Sequence, residues 1–135
     1  MSSVVDGTTI PLLEKVAAFG ESRSLVLASN VANIDTPNYK RRDLPVQQFE
    51  QALREAIQTG SDRNDQTVAG PAGLAPQLFQ PREAGSPSLT FQDNSDRSIE
   101  REMMEMTKNL SMQSFAITLL TTQMSMLQAA IREQV

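Results

Sequence analysis

The chain has 135 residues, a formal net charge of −4, and no cysteine or histidine. This length suits one domain, the acidic balance argues against a nucleic-acid partner, and without cysteine neither a disulfide nor a thiolate metal site can form. The missing histidine removes the commonest general base and metal ligand, so we expect no enzyme, no cofactor, no metal site and no small-molecule substrate.

The first predicted element is a long N-terminal helix. Residues 1–9 are expected to be a flexible start, and they lack the basic region and apolar core of a cleaved signal peptide. Thr8 or Thr9 can cap a helix that carries Pro11 in its first turn and covers residues 10–36. Steps of three and four keep one row on a single face of this helix. The row is Leu13, Ala17 (or Val16), Gly20, Ser24, Leu27, Val31 and Ile34.

The middle of this row is small, at Gly20 and Ser24. Small side chains let another backbone approach closely. A glycine inside a helix also costs helix propensity, so Gly20 could simply weaken the helix. The sequence leaves both interpretations open.

A run rich in turn-forming residues follows, Ala28-Ser29-Asn30-Val31-Ala32-Asn33-Ile34-Asp35-Thr36-Pro37-Asn38-Tyr39. Pro37 disfavours helical geometry before it, so the helix ends at or before Thr36, and Asn38 tolerates positive φ. Asn30 and Asn33 lie three apart on one face. Asparagine is unfavourable in a helix, so the pair indicates amide hydrogen bonds, either to the local turn or to a neighbouring chain.

The middle of the chain combines a short helix with an irregular segment. Residues 37–58 are predicted to hold the turn and a helix that opens at Asp43 and Pro45 and ends near Gly60. Residues 59–95 are predicted to be an irregular loop rich in proline and glycine, with short extended pieces at 75–80 and 88–92. The polar run at 93–96 supplies candidate N-caps for the next helix.

The C-terminal segment, residues 96–135, is predicted to be one long helix from about residue 97 to 132. Some 36 residues at about 1.5 Å each make a rod roughly 54 Å long, too long for this chain to wrap, so it needs partners. Its row steps by three and four like a coiled-coil seam. The row is Ile99, Met103, Met106, Leu110, Gln113, Ile117, Leu120, Met124, Leu127 and Ile131, all apolar except Gln113. A second partial row (Met104, Met112, Phe115, Leu119, Met126 and Ala129) suggests burial on two sides.

The charges of this helix crowd its first third. Arg101–Glu105 and Glu105–Lys108 are spaced to pair, which is typical of a solvated helix end. Glu100, Glu102 and Glu105 could be taken for catalytic carboxylates. They lie on that charged end with no implied cleft, and we interpret them as a solvated face. No apolar run long enough to span a membrane is present.

The run at 28–39 closely resembles the N-terminal signature of bacterial flagellar rod and hook proteins, roughly Ala-Asn-Asn-Ile-Ala-Asn-Ala-Asn-Thr-Pro-Gly-Tyr. The continuation at 40–44, the overall length and the C-terminal run at 112–132 are similar to the proximal rod (FlgB) family in particular. The resemblance covers both terminal thirds. Asn38 replaces the usual glycine, and a left-handed turn still fits asparagine. The residues that match the signature are Asn30, Ala32, Asn33, Thr36, Pro37, Asn38 and Tyr39.

The resemblance implies a structural subunit of the flagellar basal-body rod that transmits torque. It implies export through the flagellar type III gate without a cleaved signal, and a position in the rod across the periplasmic space. The implied partners are copies of the chain, other rod proteins, the ring-to-rod adapter and the membrane ring. No nucleic acid is among them.

We therefore expect an all-α chain whose two long terminal helices pair antiparallel as a coiled coil, with a short helix and an irregular middle. Two rivals remain at this stage. One is another helical export-apparatus subunit, such as a type III needle-like protein or chaperone, which has no reason to carry the signature at 30–39. The other is a wall hydrolase, which the missing histidine and the thin core disfavour.

Overall fold

The computed structural model describes residues 2–62, 74–84 and 99–133. Over these residues the chain is mostly helical, in agreement with the expected all-α class. The elements in chain order are α1 (Ser2–Ala32), β1 (Arg42–Asp43), α2 (Val46–Asp62), a 3₁₀ turn (Pro76–Phe79), β2 (Arg82–Glu83) and α3 (Ile99–Glu133). The two strands pair antiparallel, with Arg42 opposite Glu83 and Asp43 opposite Arg82.

Helix α1 begins at Ser2, where the sequence predicted a flexible start and a helix from about residue 10. Pro11 therefore lies inside the helix and not in its first turn. Proline has no N–H to donate and is favoured at helix starts, which is why the pattern indicated a later beginning. The helix ends at Ala32, and backbone bonds from Asn33 N to Ser29 O (3.1 Å) and Thr36 N to Asn33 O (3.0 Å) lead into the turn.

Helix α2 covers Val46–Asp62, close to the predicted short helix. Its apolar face buries Phe49 against Phe19 of α1 and Phe79 of the 3₁₀ turn. The Phe19 and Phe49 rings are stacked, with centroids 3.9 Å apart, and Phe79 meets both edge-on. Leu44, Leu74 and Leu78 complete this small core. The core thus ties the middle of the chain to α1.

The middle segment differs in part from its prediction. Residues 75–80 were expected to be extended, but Pro76–Phe79 forms a 3₁₀ turn with Pro76 at its start. Proline fixes a φ that suits the first residue of such a turn, and this local effect was missed. The expected extended piece at 88–92 and the helix caps at 93–96 lie outside the described residues, as does most of the predicted loop.

Helix α3 lies along α1, and later residues of α3 contact earlier residues of α1. Asn30 contacts Glu102, Ser24 contacts Asn109, and Gly20 contacts Gln113. A methyl group added to Gly20 would lie 3.2 Å from Gln113 Cβ. Gly20 therefore lets the two helices approach closely, which decides between the two interpretations that the sequence left open.

The face of α3 that contacts α1 includes only part of the predicted row. It is built on Glu102 (3% exposed), Asn109 (1%) and Ala116 (2%). In the predicted row, Met106, Gln113, Leu120 and Leu127 are half-buried. Its other members are exposed: Ile99, Met103, Leu110, Ile117, Met124 and Ile131. The rows are easily confused because Met103, Leu110 and Ile117 each follow an inward residue by one position, and the inward residues are polar or small and gave no apolar signal.

Candidate functional site

The turn after α1 is stabilised from within. Asn38 has a φ of 61°, the left-handed conformation expected for it. Asn33 Nδ2 donates to Ser29 O (2.8 Å), and Thr36 Oγ1 donates to Asn33 Oδ1 (3.3 Å). Asn33 and Thr36 therefore serve the local turn, which was one of the two roles considered for the asparagine pair. Ala32, Thr36, Pro37 and Asn38 are exposed, whereas Asn33 and Tyr39 are half-buried.

Asn30 has a different role, because its buried amide connects three segments. Its Oδ1 accepts from Tyr39 Oη (2.9 Å) and from the backbone N–H of Arg42 (3.1 Å). Its Nδ2 donates to Arg42 O (2.7 Å) and to Glu102 Oε2 (3.1 Å). An amide has two acceptor sites and two donors, so every one is used. Asn30 thus joins α1 and the turn to β1 and to α3.

Glu102 lies in the interior, which corrects the expectation of a solvated helix end. Its carboxylate accepts from Asn30 and from Arg41 Nε, and both Glu102 (3%) and Arg41 (7%) are almost fully buried. A buried carboxylate without a partner is costly, so this pairing is required for the helix to lie where it does. Residue spacing identifies only partners on the same helix, so it did not indicate Arg41, which lies 61 positions away from Glu102 in the sequence.

A second ion-pair group lies one turn further along α3. Arg23 donates to both carboxylate oxygens of Asp43 (2.9 and 3.0 Å) and to Glu105 Oε2 (2.7 Å). The hydrogen bond from Arg23 lowers the pKa of Glu105, against the opposing effect of burial. Burial alone would lower the pKa of Arg23, but its bonds to Asp43 and Glu105 raise it. Lys108 also pairs with Glu105, at 3.5 Å, as predicted.

Asn109 forms the third connection between α1 and α3. Its Nδ2 donates to Gly20 O and to Ser24 Oγ, both at 2.8 Å. Its Oδ1 is buried and has no hydrogen-bond partner within the described part of the chain. We call the residues of these three connections the polar layer: Arg23, Asn30, Arg41, Asp43, Glu102, Glu105 and Asn109.

The polar layer is suited to holding segments together rather than to chemistry. Its carboxylates Asp43, Glu102 and Glu105 are all engaged by arginine. Paired charges of this kind have structural roles more often than catalytic ones. Within residues 2–62, 74–84 and 99–133, no group of three or more acidic, histidine or cysteine side chains could hold a metal ion.

Sequence reasoning found Asn30 but not the rest of the polar layer. Arg23 and Arg41 were given no role, and Asp43 was considered only as a start of the short helix. Glu102 and Glu105 were given a solvated role. One signal was available, because Arg23 is a lone cation between the small residues Gly20 and Ser24, next to a row that was expected to be inward. A cation in that position requires a carboxylate from another element.

Most of the remaining apolar surface of α3 is exposed. The outer row, defined here as Met103, Leu110, Ile117, Met124 and Ile131, is between 49% and 65% exposed. On the other flank Met104, Phe115 and Met126 are 51%, 66% and 57% exposed. On α1, Leu27 of the predicted row is fully buried and Leu13 and Val31 are half-buried. Large exposed apolar strips on a helix are typical of interaction sites.

The rest of α3 presents little that would resist burial. Residues 109–131 carry no charged side chain. Several hydroxyls on the back of the helix already donate to carbonyls of their own helix at 2.9 Å; they belong to Thr107, Thr118, Thr121, Thr122 and Ser125. By length and composition alone α3 is long and apolar enough to cross a membrane, which differs from the expectation that no apolar run would reach that length. The polar layer on its α1 face and its charged first third suit a protein interface better.

Comparisons with known proteins give the family of the chain. The family model described as flagella basal body rod protein matches residues 25–40, which include Asn30 near the end of α1 and Tyr39 in the turn that follows. This match points to the class of flagellar rod proteins.

Two relatives from Cereibacter sphaeroides, both named flagellar basal body rod protein FlgB, define the family more closely. Each is 33% identical over 116 residues, which cover 83% of this chain and 84% of the relative. The chain therefore belongs to the FlgB family of flagellar basal body rod proteins. It is accordingly a structural subunit of the rod and serves motility.

Proposed function

We propose that the chain builds the proximal rod by packing α3 against neighbouring subunits, while α1 and α3 of each chain pair antiparallel as a coiled coil. The subunits stack into a tube that transmits torque from the membrane ring to the distal rod. In this arrangement the polar layer holds each subunit together, and the outer row joins one subunit to the next.

The exposure of the outer row carries this proposal. Five apolar side chains at seven-residue spacing, each about half exposed or more, run along nearly the whole of α3. Fully burying an exposed side chain of this kind contributes on the order of 1.5–3 kcal/mol, and a half-exposed one gains roughly half of that, so the five together favour association strongly. The uncharged stretch at 109–131 allows burial on more than one side without desolvating an ion.

The same proposal gives the partners and the location. They are copies of this chain, other rod proteins, the ring-to-rod adapter and the membrane ring, with the rod crossing the periplasmic space. The chain passes the flagellar type III export gate without a cleaved signal peptide. The matched segment at 25–40 and the FlgB relatives support this assignment, since they place the chain in a family named for the basal-body rod.

Site-specific cross-linking in the native host tests the proposal. A photo-reactive amino acid replaces Ile117 of the outer row, and the matched control replaces Gln58, an exposed position on α2. After irradiation of intact cell envelopes, cross-linked partners are identified by mass spectrometry. We expect Ile117 to capture this chain, another rod protein or a ring protein, and Gln58 to capture them much less.

A protein that remains in the cytoplasm of motile cells, with no flagellar cross-link at Ile117, would contradict the proposal. That result would favour an export-apparatus or chaperone role for the same helices.

A further inference from the structure

We propose that the polar layer sets the register of α3 along α1, and that its apolar residues do not. The layer selects one alignment of the two helices, and it does so only when the turn after α1 has closed. Asn30, Arg23 and the residues they engage on α3 are thus positioning residues.

The apolar pattern of α3 leaves its alignment open. The outer row repeats every seven residues, and so do the inward positions Glu102, Asn109, Ala116 and Gln123. A slip of α3 by seven residues, about 10 Å along the axis, turns the helix by only about 20° and presents an equivalent apolar surface. Apolar contacts therefore distinguish poorly between the two alignments.

The polar contacts do distinguish between them. In the observed alignment Arg41 and Asn30 meet the carboxylate of Glu102, and Arg23 meets Glu105. After a slip of seven residues they would meet Asn109 and Met112. Arg41, only 7% exposed, would then lose its carboxylate on α3 and keep only the contact to Asp43 at 3.3 Å. Removing one partner of a buried ion pair is strongly unfavourable, so the slipped alignment is disfavoured.

Closure of the turn prepares the layer for α3. Tyr39 and the backbone N–H of Arg42 occupy both acceptor sites of Asn30, which fixes the amide so that Nδ2 points at Glu102. Asp43 on β1 likewise holds Arg23 by two hydrogen bonds before Glu105 adds a third. Hydrogen-bond donors on and beside α1 thus lie at two levels along the helix axis. At these two levels α3 supplies the carboxylates of Glu102 and Glu105.

Distance measurements between spin labels on the full-length purified chain test this. Cysteines for the labels replace Glu21 and Ser125, which are exposed and lie well apart along the axis. The chain has no other cysteine. In a permuted variant, E102N/E105M/N109E/M112E, the two carboxylates of the layer move by seven residues along α3 at unchanged composition. We expect one narrow distance for the native sequence, and a distance shorter by up to about 10 Å for the permuted variant.

A second variant, E102Q/E105Q, removes the two carboxylates while nearly preserving shape. It should add a second, displaced distance, whereas E100Q/E133Q, which removes two exposed carboxylates from the same helix, should retain the single native distance. If the permuted variant loses its helical signal, the comparison of E102Q/E105Q with E100Q/E133Q tests whether the polar layer sets the register.

Three results would overturn the proposal. The first is a native distance in both the permuted and the E102Q/E105Q variants. The second is a broad distribution in the native sequence. The third is loss of every ordered distance in both variants, because the layer would then hold the helices together without selecting their alignment.

Discussion

At the scale of single residues, Asn30 has the most demanding environment in the described part of the chain. Its amide uses two acceptor sites and two donors at once, with partners on the turn, β1 and α3. No other residue type offers both two donors and two acceptor sites at this length. Its neighbour Asn33 bonds only within the local turn, so the two asparagines of the signature have distinct roles.

Replacing Asn30 by aspartate should be more damaging than its small change in shape suggests. The substituted side chain would point a carboxylate at Glu102 and at Arg42 O, where the amide now donates. We expect a loss of about 3 kcal/mol or more in the free energy of unfolding, measured by chemical denaturation. Asn33→Asp, at the less buried asparagine, should cost about 1 kcal/mol or less. Equal losses for the two variants would contradict the role given to Asn30.

Glu105 gives a pH dependence whose sign follows from its lowered pKa. The folded chain keeps this carboxylate charged at a pH where the unfolded chain, with a pKa near 4.5, takes up a proton. Its contribution to stability is full above that value and is lost as pH falls through the folded pKa. Glu105→Gln should therefore lower stability by about 1–3 kcal/mol at pH 7, and the difference from the native sequence should shrink below about pH 4.5.

Thermal unfolding of both proteins between pH 3 and pH 7 measures this difference. Glu100→Gln, which neutralises an exposed carboxylate at the same helix end, is the control and should change stability little at any pH. A difference between Glu105→Gln and the native sequence that stays constant with pH would show that the charge of Glu105 is not what stabilises the fold.

At the scale of elements, periodicity predicted the helices well and their contacts poorly. Helix α3 begins at Ile99, near the predicted start at 97, and α2 also lies close to its prediction. Helix α1 starts earlier than expected. The prediction took Pro11 as a sign of the helix start, but Pro11 lies inside the helix. Local propensity and spacing determine such bounds, so a single sequence largely contains them.

The faces of α3 could not be predicted in the same way. Spacing shows that Met103, Leu110 and Ile117 share a face, but not what covers it. The inward residues Glu102 and Asn109 are polar, and their burial depends on Asn30, Arg41 and Ser24, which are distant in sequence. Long-range complementarity of this kind has no periodic signal, which is why most of the polar layer was missed.

The close approach of α1 and α3 at Gly20 gives a prediction at this scale. A larger side chain there would collide with Gln113, whose Cβ is attached to the α3 backbone and cannot move alone. Gly20→Val should therefore separate the helices and cost about 1–3 kcal/mol in the free energy of unfolding. Ala18→Val, at an exposed position on the same helix, should cost less than about 1 kcal/mol. Similar costs at both positions would argue against a tight contact.

At the scale of the whole molecule, one set of residues holds the chain together and another remains available to neighbouring subunits. The aromatic core and the polar layer hold α1, α2, the strands and α3 of one chain together. The exposed apolar strips of α3 remain for neighbours. The charges of the polar layer are paired inside, whereas the apolar strips of α3 lie outside. The chain alone therefore leaves much apolar surface uncovered. Assembly with other subunits would bury it.

Complementation of a strain that lacks this gene tests the division between the two surfaces. Ile117→Asp places a charge in the middle of the outer row without touching the polar layer, and Gln58→Asp places the same charge on an exposed face of α2. We expect Ile117→Asp to be produced at normal levels but to abolish swimming and incorporation into purified basal bodies, because a charge buried between subunits is strongly unfavourable. Gln58→Asp should support swimming close to the native level. Normal swimming with Ile117→Asp would contradict the assignment of the outer row to subunit contacts.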